Sequence, residues 1–68
     1  WDAAVKAWIS ILDSTDDINI RALLEYNIGL GCFMMGNRDL ALQWLQQSSS
    51  EQSSDMTTAL INRIKRRD

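Results

Sequence analysis

The sequence of 68 residues contains no proline, no histidine and a single cysteine. One cysteine cannot form an internal disulfide, and a chain without a Cys/His cluster has no tetrahedral zinc site. Without histidine, no Cys–His pair can activate a nucleophile, so Cys32 is interpreted as a small core residue. We therefore expect no enzyme activity, no metal and no cofactor, and a small core that forms without a covalent cross-link.

The charge of the chain is low and unevenly distributed. Seven basic residues against nine acidic ones give a net charge of −2, whereas nucleic-acid binders normally carry a basic field. Four basic residues lie in the last six positions: Arg63, Lys65, Arg66 and Arg67. Such a run is more often a solvated helix end than a contact for nucleic acid or anionic lipid. The longest apolar run, 28–35, is too short to cross a bilayer, so no membrane insertion is expected.

Apolar residues recur at spacings of three and four along most of the chain, which predicts four helices and no strands. Their expected ranges are 2–12, 17–35, 38–48 and 53–67. The Ser/Gln-rich stretch 46–54 is interpreted as a solvated loop. The second and third helices are so close in sequence that they should form an antiparallel αα-hairpin.

Capping residues set the expected helix ends. Asp2 is predicted to cap the first helix, and Ser14 with Asp17 resembles a capping box ahead of the second. Gly36 is expected to end the second helix in the left-handed conformation, and Asn37 to cap the third.

A helix–turn–helix repeat of 34 residues fits the middle of the chain. The repeat consensus W-x2-L-G-x2-Y falls on 25–32, the consensus A-x3-F on 41–45, and the turn on 36–37. The stretch Ala4-x3-Trp8 has the same spacing as Ala41-x3-Leu45. Through these residues the sequence resembles a tetratricopeptide repeat. The positions that carry the resemblance are Trp8, Ile28, Gly29, Cys32, Gly36, Ala41, Trp44 and Leu45.

The resemblance implies an all-α fold in which antiparallel αα-hairpins stack as a right-handed superhelix. Residues 1–68 would form a single domain or fragment of this type. Residues 2–12 would be the second helix of a preceding repeat, 17–48 a complete repeat, and 53–67 a following or capping helix. Gly29 would face Ala41 where the two helices of the repeat approach closely.

Several residues depart from the repeat pattern. Glu25 replaces a bulky aromatic residue, Cys32 replaces tyrosine, and Ser53 replaces proline. Arg38 stands where an apolar residue is usual, and Arg63 where leucine is expected. These departures weaken the match of the fourth helix more than that of the central repeat.

The resemblance also implies a function. The first helix of each hairpin lines the concave face of such a stack, and here that face would carry Tyr26, Asn27, Leu30, Phe33 and Met34. The implied function is a non-catalytic scaffold that binds a protein partner, as a peptide or helix, on this face. The chaperone-binding carboxylate clamp of some tetratricopeptide domains is not expected, because the lysines that accompany its asparagine are missing around Asn27.

Two alternatives remain open. The segment can be a purely structural part of a longer solenoid, or a repeat that associates with a second copy of itself. In both cases the concave residues would pack against protein instead of remaining free. A weaker likeness to repeat segments of bacterial cell-envelope lipoproteins rests on Trp8 and on the stretches 26–28, 35–37 and 41–44, and it leaves the compartment open between cell envelope and cytoplasm.

Overall fold

The computed structural model describes residues 1–66, which form four α-helices and no β-strand. The helices are α1 (Asp2–Asp13), α2 (Ile18–Met34), α3 (Arg38–Glu51) and α4 (Asp55–Arg66). The predicted all-α class and the number of helices are confirmed over these residues. Each helix packs on the next, and the α2–α3 hairpin forms the centre of the fold. Arg67, the last residue of the predicted fourth helix, lies outside the described residues.

The core lies along both sides of the α2–α3 hairpin. Ile28, Ala41 and Leu45 are completely buried between α2 and α3, and Ile64 brings α4 onto the same core. The remaining members of this cluster are Val5, Leu12, Leu24, Cys32 and Leu60. Burial of one apolar side chain of this size contributes about 1.5–3 kcal/mol to folding.

Two glycines allow α2 to approach the helices on either side of it. A Cβ atom on Gly29 would stand 2.7 Å from Cγ of Leu45 and 3.2 Å from the carbonyl oxygen of Ala41. A Cβ atom on Gly31 would stand 2.6 Å from Cγ2 of Val5 in α1. A glycine inside a helix costs about 1 kcal/mol relative to alanine, and the close packing on both sides offsets that cost. The close approach predicted at Gly29 is therefore present.

The start of α1 differs from the prediction. Trp1, not Asp2, is the N-cap, because the Val5 amide donates its hydrogen bond to the Trp1 carbonyl at 2.8 Å. Asp2 therefore lies in the first turn, where its negative charge favours the helix N-terminus. Its carboxylate forms an exposed ion pair with Lys6 at 3.3 Å.

The predicted capping box between α1 and α2 is wrong. Ser14 ends α1 instead of starting α2, and its hydroxyl donates to the Ile11 carbonyl at 3.0 Å. Asp17 itself is the N-cap of α2, and its carboxylate accepts from the amides of Asn19 and Ile20 at 2.9 and 3.3 Å. The four residues of the connection, 14–17, leave room for a separate C-cap of α1 and N-cap of α2.

The turn between α2 and α3 is formed as predicted. Gly36 has φ +86°, in the left-handed region that favours glycine. The Asn37 amide donates to the Cys32 carbonyl at 2.9 Å, which closes the end of α2. The Asn37 side chain accepts from the Leu40 amide at 3.3 Å and caps α3.

The Ser/Gln-rich stretch predicted as a loop is helical as far as Glu51, so that prediction is wrong for 46–51. Ser48 explains the difference: it is buried, and its hydroxyl donates to the Ala22 carbonyl of α2 at 2.6 Å. A polar residue is thus accommodated in the interior because its hydrogen bond is satisfied across the helix pair. Ser54 then caps α4 by accepting from the Thr57 amide at 3.1 Å.

Arg38, a departure from the repeat pattern, fastens α4 to the hairpin. Its Nη2 donates to the Ile64 carbonyl at 2.7 Å. A cation that donates to a carbonyl in the last turn of a helix satisfies a group without an intrahelical partner and favours the negative end of the helix dipole. The C-terminal end of α4 is consequently held beside the start of α3.

Candidate protein-binding site

Two apolar depressions lie side by side between α2 and α4, and Tyr26 lines both of them. We call them together the α2–α4 groove. The first, of about 320 Å³, is lined by Asn19, Ala22, Leu23, Tyr26, Ser48, Gln52, Ser54, Met56 and Thr57. The second, of about 270 Å³, is lined by Tyr26, Met56, Ala59, Leu60 and Arg63.

The α2–α4 groove combines an apolar floor with polar ends. Leu23 and Met56 are 59% and 63% exposed on either side of the half-buried Tyr26. Methionine is flexible and polarisable, which suits a surface that adapts to a partner side chain. Arg63 lies at one end, and its exposed guanidinium could pair with a carboxylate of a bound segment. The groove therefore presents apolar side chains with one basic group beside them.

The other residues predicted for the concave face lie elsewhere. Leu30 and Phe33 are half-buried and pack against the core cluster. Asn27 is half-buried and Met34 is 55% exposed. Of the five predicted binding residues, only Tyr26 lines the α2–α4 groove. Leu23 and Met56 were missed, because Leu23 stands in the apolar run 22–24 and Met56 between polar residues, and only the packing of α4 brings the two together.

A buried carboxylate was also missed. Glu25 is 0% exposed, and no residue of the described chain makes a hydrogen bond of ordinary geometry to either of its oxygens. Burial, assisted by the nearby carboxylate of Glu51, raises the pKa of Glu25 from its ordinary value of 4.5 to about 7, against an opposing effect of Arg21. The signal in the sequence was the replacement of a bulky aromatic residue by Glu25 in the repeat pattern.

Arg21 links this carboxylate to the ends of α1 and α3. Its Nη1 donates to the carbonyls of Leu12 and Thr15 at 3.2 and 3.1 Å. Its Nη2 lies 4.0 Å from Oε2 of Glu25, and its Nε lies 3.8 Å from Oε2 of Glu51. The cluster joins α1, α2 and α3, with Glu25 fully buried and Arg21 and Glu51 partly exposed.

Other kinds of site have little support in the described residues. Cys32 is 2% exposed, and burial raises the pKa of its thiol, which disfavours the reactive thiolate. Residues 1–66 contain no group of three side chains arranged to hold a metal ion. None of the helices in that range is both long enough and apolar enough to cross a membrane.

Residues 1–66 match the family described as a domain of unknown function, DUF6340, and the chain belongs to that family. No curated protein and no solved structure matches the chain.

Proposed function

We propose that this chain is a non-catalytic protein-interaction module of tetratricopeptide type that binds a peptide or helix in the α2–α4 groove. The observation that carries the proposal is the groove itself, an apolar depression between α2 and α4 with exposed Leu23 and Met56 around Tyr26. In a stack of helical hairpins, α2 and α4 would be the first helices of successive repeats, which are the helices that line the binding face.

The chemistry of the groove indicates what kind of segment it takes. One or two apolar side chains of the partner would enter the depressions beside Tyr26 and Met56, where burial supplies most of the affinity. A carboxylate of the partner would lie next to Arg63 and fix its direction. A short amphipathic segment with an acidic residue beside its apolar anchors fits this description.

The test is selection of binders from a displayed library of random peptides against the chain. We expect the enriched peptides to share apolar anchors and an acidic residue. Tyr26→Ala should weaken their binding by at least tenfold, about 1.4 kcal/mol, and Arg63→Gln should weaken binding of the acidic peptides. Circular dichroism of each variant establishes that the helices remain.

A matched control is available on the opposite side of the hairpin. Leu40 is an exposed apolar residue of α3, 39% exposed, away from the groove. Leu40→Ala should leave the affinity for the selected peptides unchanged. Equal loss of binding in Leu40→Ala and Tyr26→Ala, or unchanged binding in Tyr26→Ala, would refute the assignment of the groove.

A further inference from the structure

A second apolar surface runs along α2 beside the α2–α4 groove. Ile20, Leu23, Asn27, Leu30 and Met34 follow one another at spacings of three, four, three and four, so they form one stripe along the helix. We call this stripe the α2 seam. Helices that pack lengthwise against each other use stripes with this spacing.

The α2 seam is exposed at Ile20, Leu23 and Met34 and half-buried at Asn27 and Leu30, of which Leu30 also packs against the core cluster. Ile20, Leu23 and Met34 are 46%, 59% and 55% exposed. Neighbouring helices pack on other faces of α2, α3 at Gly29 and α1 at Gly31. Asn27 lies in the middle of the seam and is half-buried.

The charges of the chain are separated towards the two ends of the α2 seam. The end of α1, the α1–α2 connection, the end of α3 and the start of α4 lie near Ile20. They carry five acidic residues: Asp13, Asp16, Asp17, Glu51 and Asp55. The basic residue Arg21 of α2 also lies at this end and is bonded internally. Near Met34 lie the start of α1, the start of α3 and the end of α4, because the Gly31–Val5 contact and the Arg38–Ile64 bond bring them there. This end carries Lys6, Arg38, Arg63, Lys65 and Arg66 against Asp2 and Asp39.

We propose that the α2 seam is the contact face of a homodimer in which two copies of this chain lie antiparallel. A two-fold axis near Asn27 sets Ile20 of one copy towards Met34 of the other. The acidic end of each copy then lies against the basic end of its partner, which is the charge complementarity that favours a second copy in this orientation. In a parallel dimer, ends of like charge would face each other.

Asn27 gives the dimer its register. The axis brings the two carboxamides together, where the N–H of one donates to the carbonyl oxygen of the other. A single polar residue in an otherwise apolar seam fixes register at some cost in affinity. The seam, residues 20–34, is about two heptads long, and for an interface this short we expect a weak dimer in equilibrium with the monomer.

The dimer does not depend on the proposed function, because Tyr26 and Arg63 of the α2–α4 groove lie outside the seam and only Leu23 borders both surfaces. Loss of the dimer and loss of peptide binding are therefore distinguishable.

Sedimentation equilibrium of the chain over a wide concentration range tests the proposal. We expect a monomer–dimer equilibrium that weakens with added salt. Ile20→Asp should weaken dimerisation at least tenfold with the helices intact by circular dichroism, because Ile20 is exposed and outside the core. The matched variant Leu40→Asp, on the outer face of α3, should dimerise as the unaltered chain does. A monomer at every concentration, or equal effects of the two variants, overturns the proposal.

Charge reversal tests the orientation. Asp16→Lys alone should weaken the dimer, and so should Arg66→Glu alone. The double variant restores opposite charges across an antiparallel interface, and we expect it to recover most of the lost affinity. If the double variant does not recover the lost dimer affinity, the antiparallel arrangement is wrong. This holds even if Ile20→Asp abolishes the dimer.

Discussion

Burial of Glu25 predicts that the stability of the fold falls as the pH rises through neutrality. The pKa of Glu25 is raised from 4.5 to about 7 in the folded chain, chiefly by burial. The folded state therefore binds a proton more tightly than the unfolded state. The stabilisation that this proton gives the folded state is complete below about pH 4.5 and is lost as the pH rises through about 7.

The size of this effect follows from the two pKa values. Each tenfold change in the ionisation constant corresponds to about 1.4 kcal/mol, so the difference between 4.5 and about 7 amounts to about 3 kcal/mol. For a domain of this length, that is a large fraction of a total stability of roughly 5 kcal/mol. We expect the free energy of unfolding to decrease markedly between about pH 5 and pH 8.

Urea unfolding followed by circular dichroism at several pH values measures the effect. Glu25→Gln keeps the size of the side chain and removes its charge. This variant should show little pH dependence over the same range and should be more stable than the unaltered chain above neutrality. Asp16→Asn, which removes an exposed carboxylate, is the control and should retain the pH dependence. A stability that rises with pH, or an unchanged slope in Glu25→Gln, would show that the carboxyl of Glu25 is not protonated more readily in the folded chain.

Three further substitutions test the packing of the helices. Gly29→Leu should destabilise the fold by at least ~1–3 kcal/mol in urea unfolding, because its Cβ would stand 2.7 Å from Cγ of the buried Leu45; an unchanged stability would contradict the close helix approach. Ser48→Ala removes a buried 2.6 Å hydrogen bond and should cost about 1 kcal/mol by the same assay. Arg38→Met removes the 2.7 Å bond to the Ile64 carbonyl, so amide exchange in α4 should accelerate more than in α2. Equal acceleration of amide exchange in α4 and α2 would contradict a local role of Arg38.

The sequence was sufficient for the features that depend on local pattern. The apolar spacing located four helices, and Gly36 with Asn37 identified the turn because a left-handed glycine followed by a capping residue is recognisable from sequence. The close approach of α2 and α3 at Gly29 could be predicted, because a mid-helix glycine with a small residue in the following helix indicates close packing.

The features that failed depend on contacts between helices distant in sequence. The Ser/Gln-rich composition around Ser48 is typical of a loop. The hydrogen bond from Ser48 to the Ala22 carbonyl, which holds this segment against α2, cannot be seen in that composition. Glu25 was noted as a departure from the repeat pattern, but its burial beside Glu51 follows only from the extension of α3. Met56 joins Tyr26 in the α2–α4 groove only because α4 packs back on the hairpin.

The central claim is that the α2–α4 groove binds a protein segment. Nuclear magnetic resonance of the isotope-labelled chain, titrated with a peptide from the displayed library, tests it most directly. We expect the shifted resonances to belong to residues around Tyr26 and Met56, with Arg63 affected by peptides that carry an acidic residue. Shifts concentrated around Leu40 on the outer face of α3, or none near Tyr26, would contradict it.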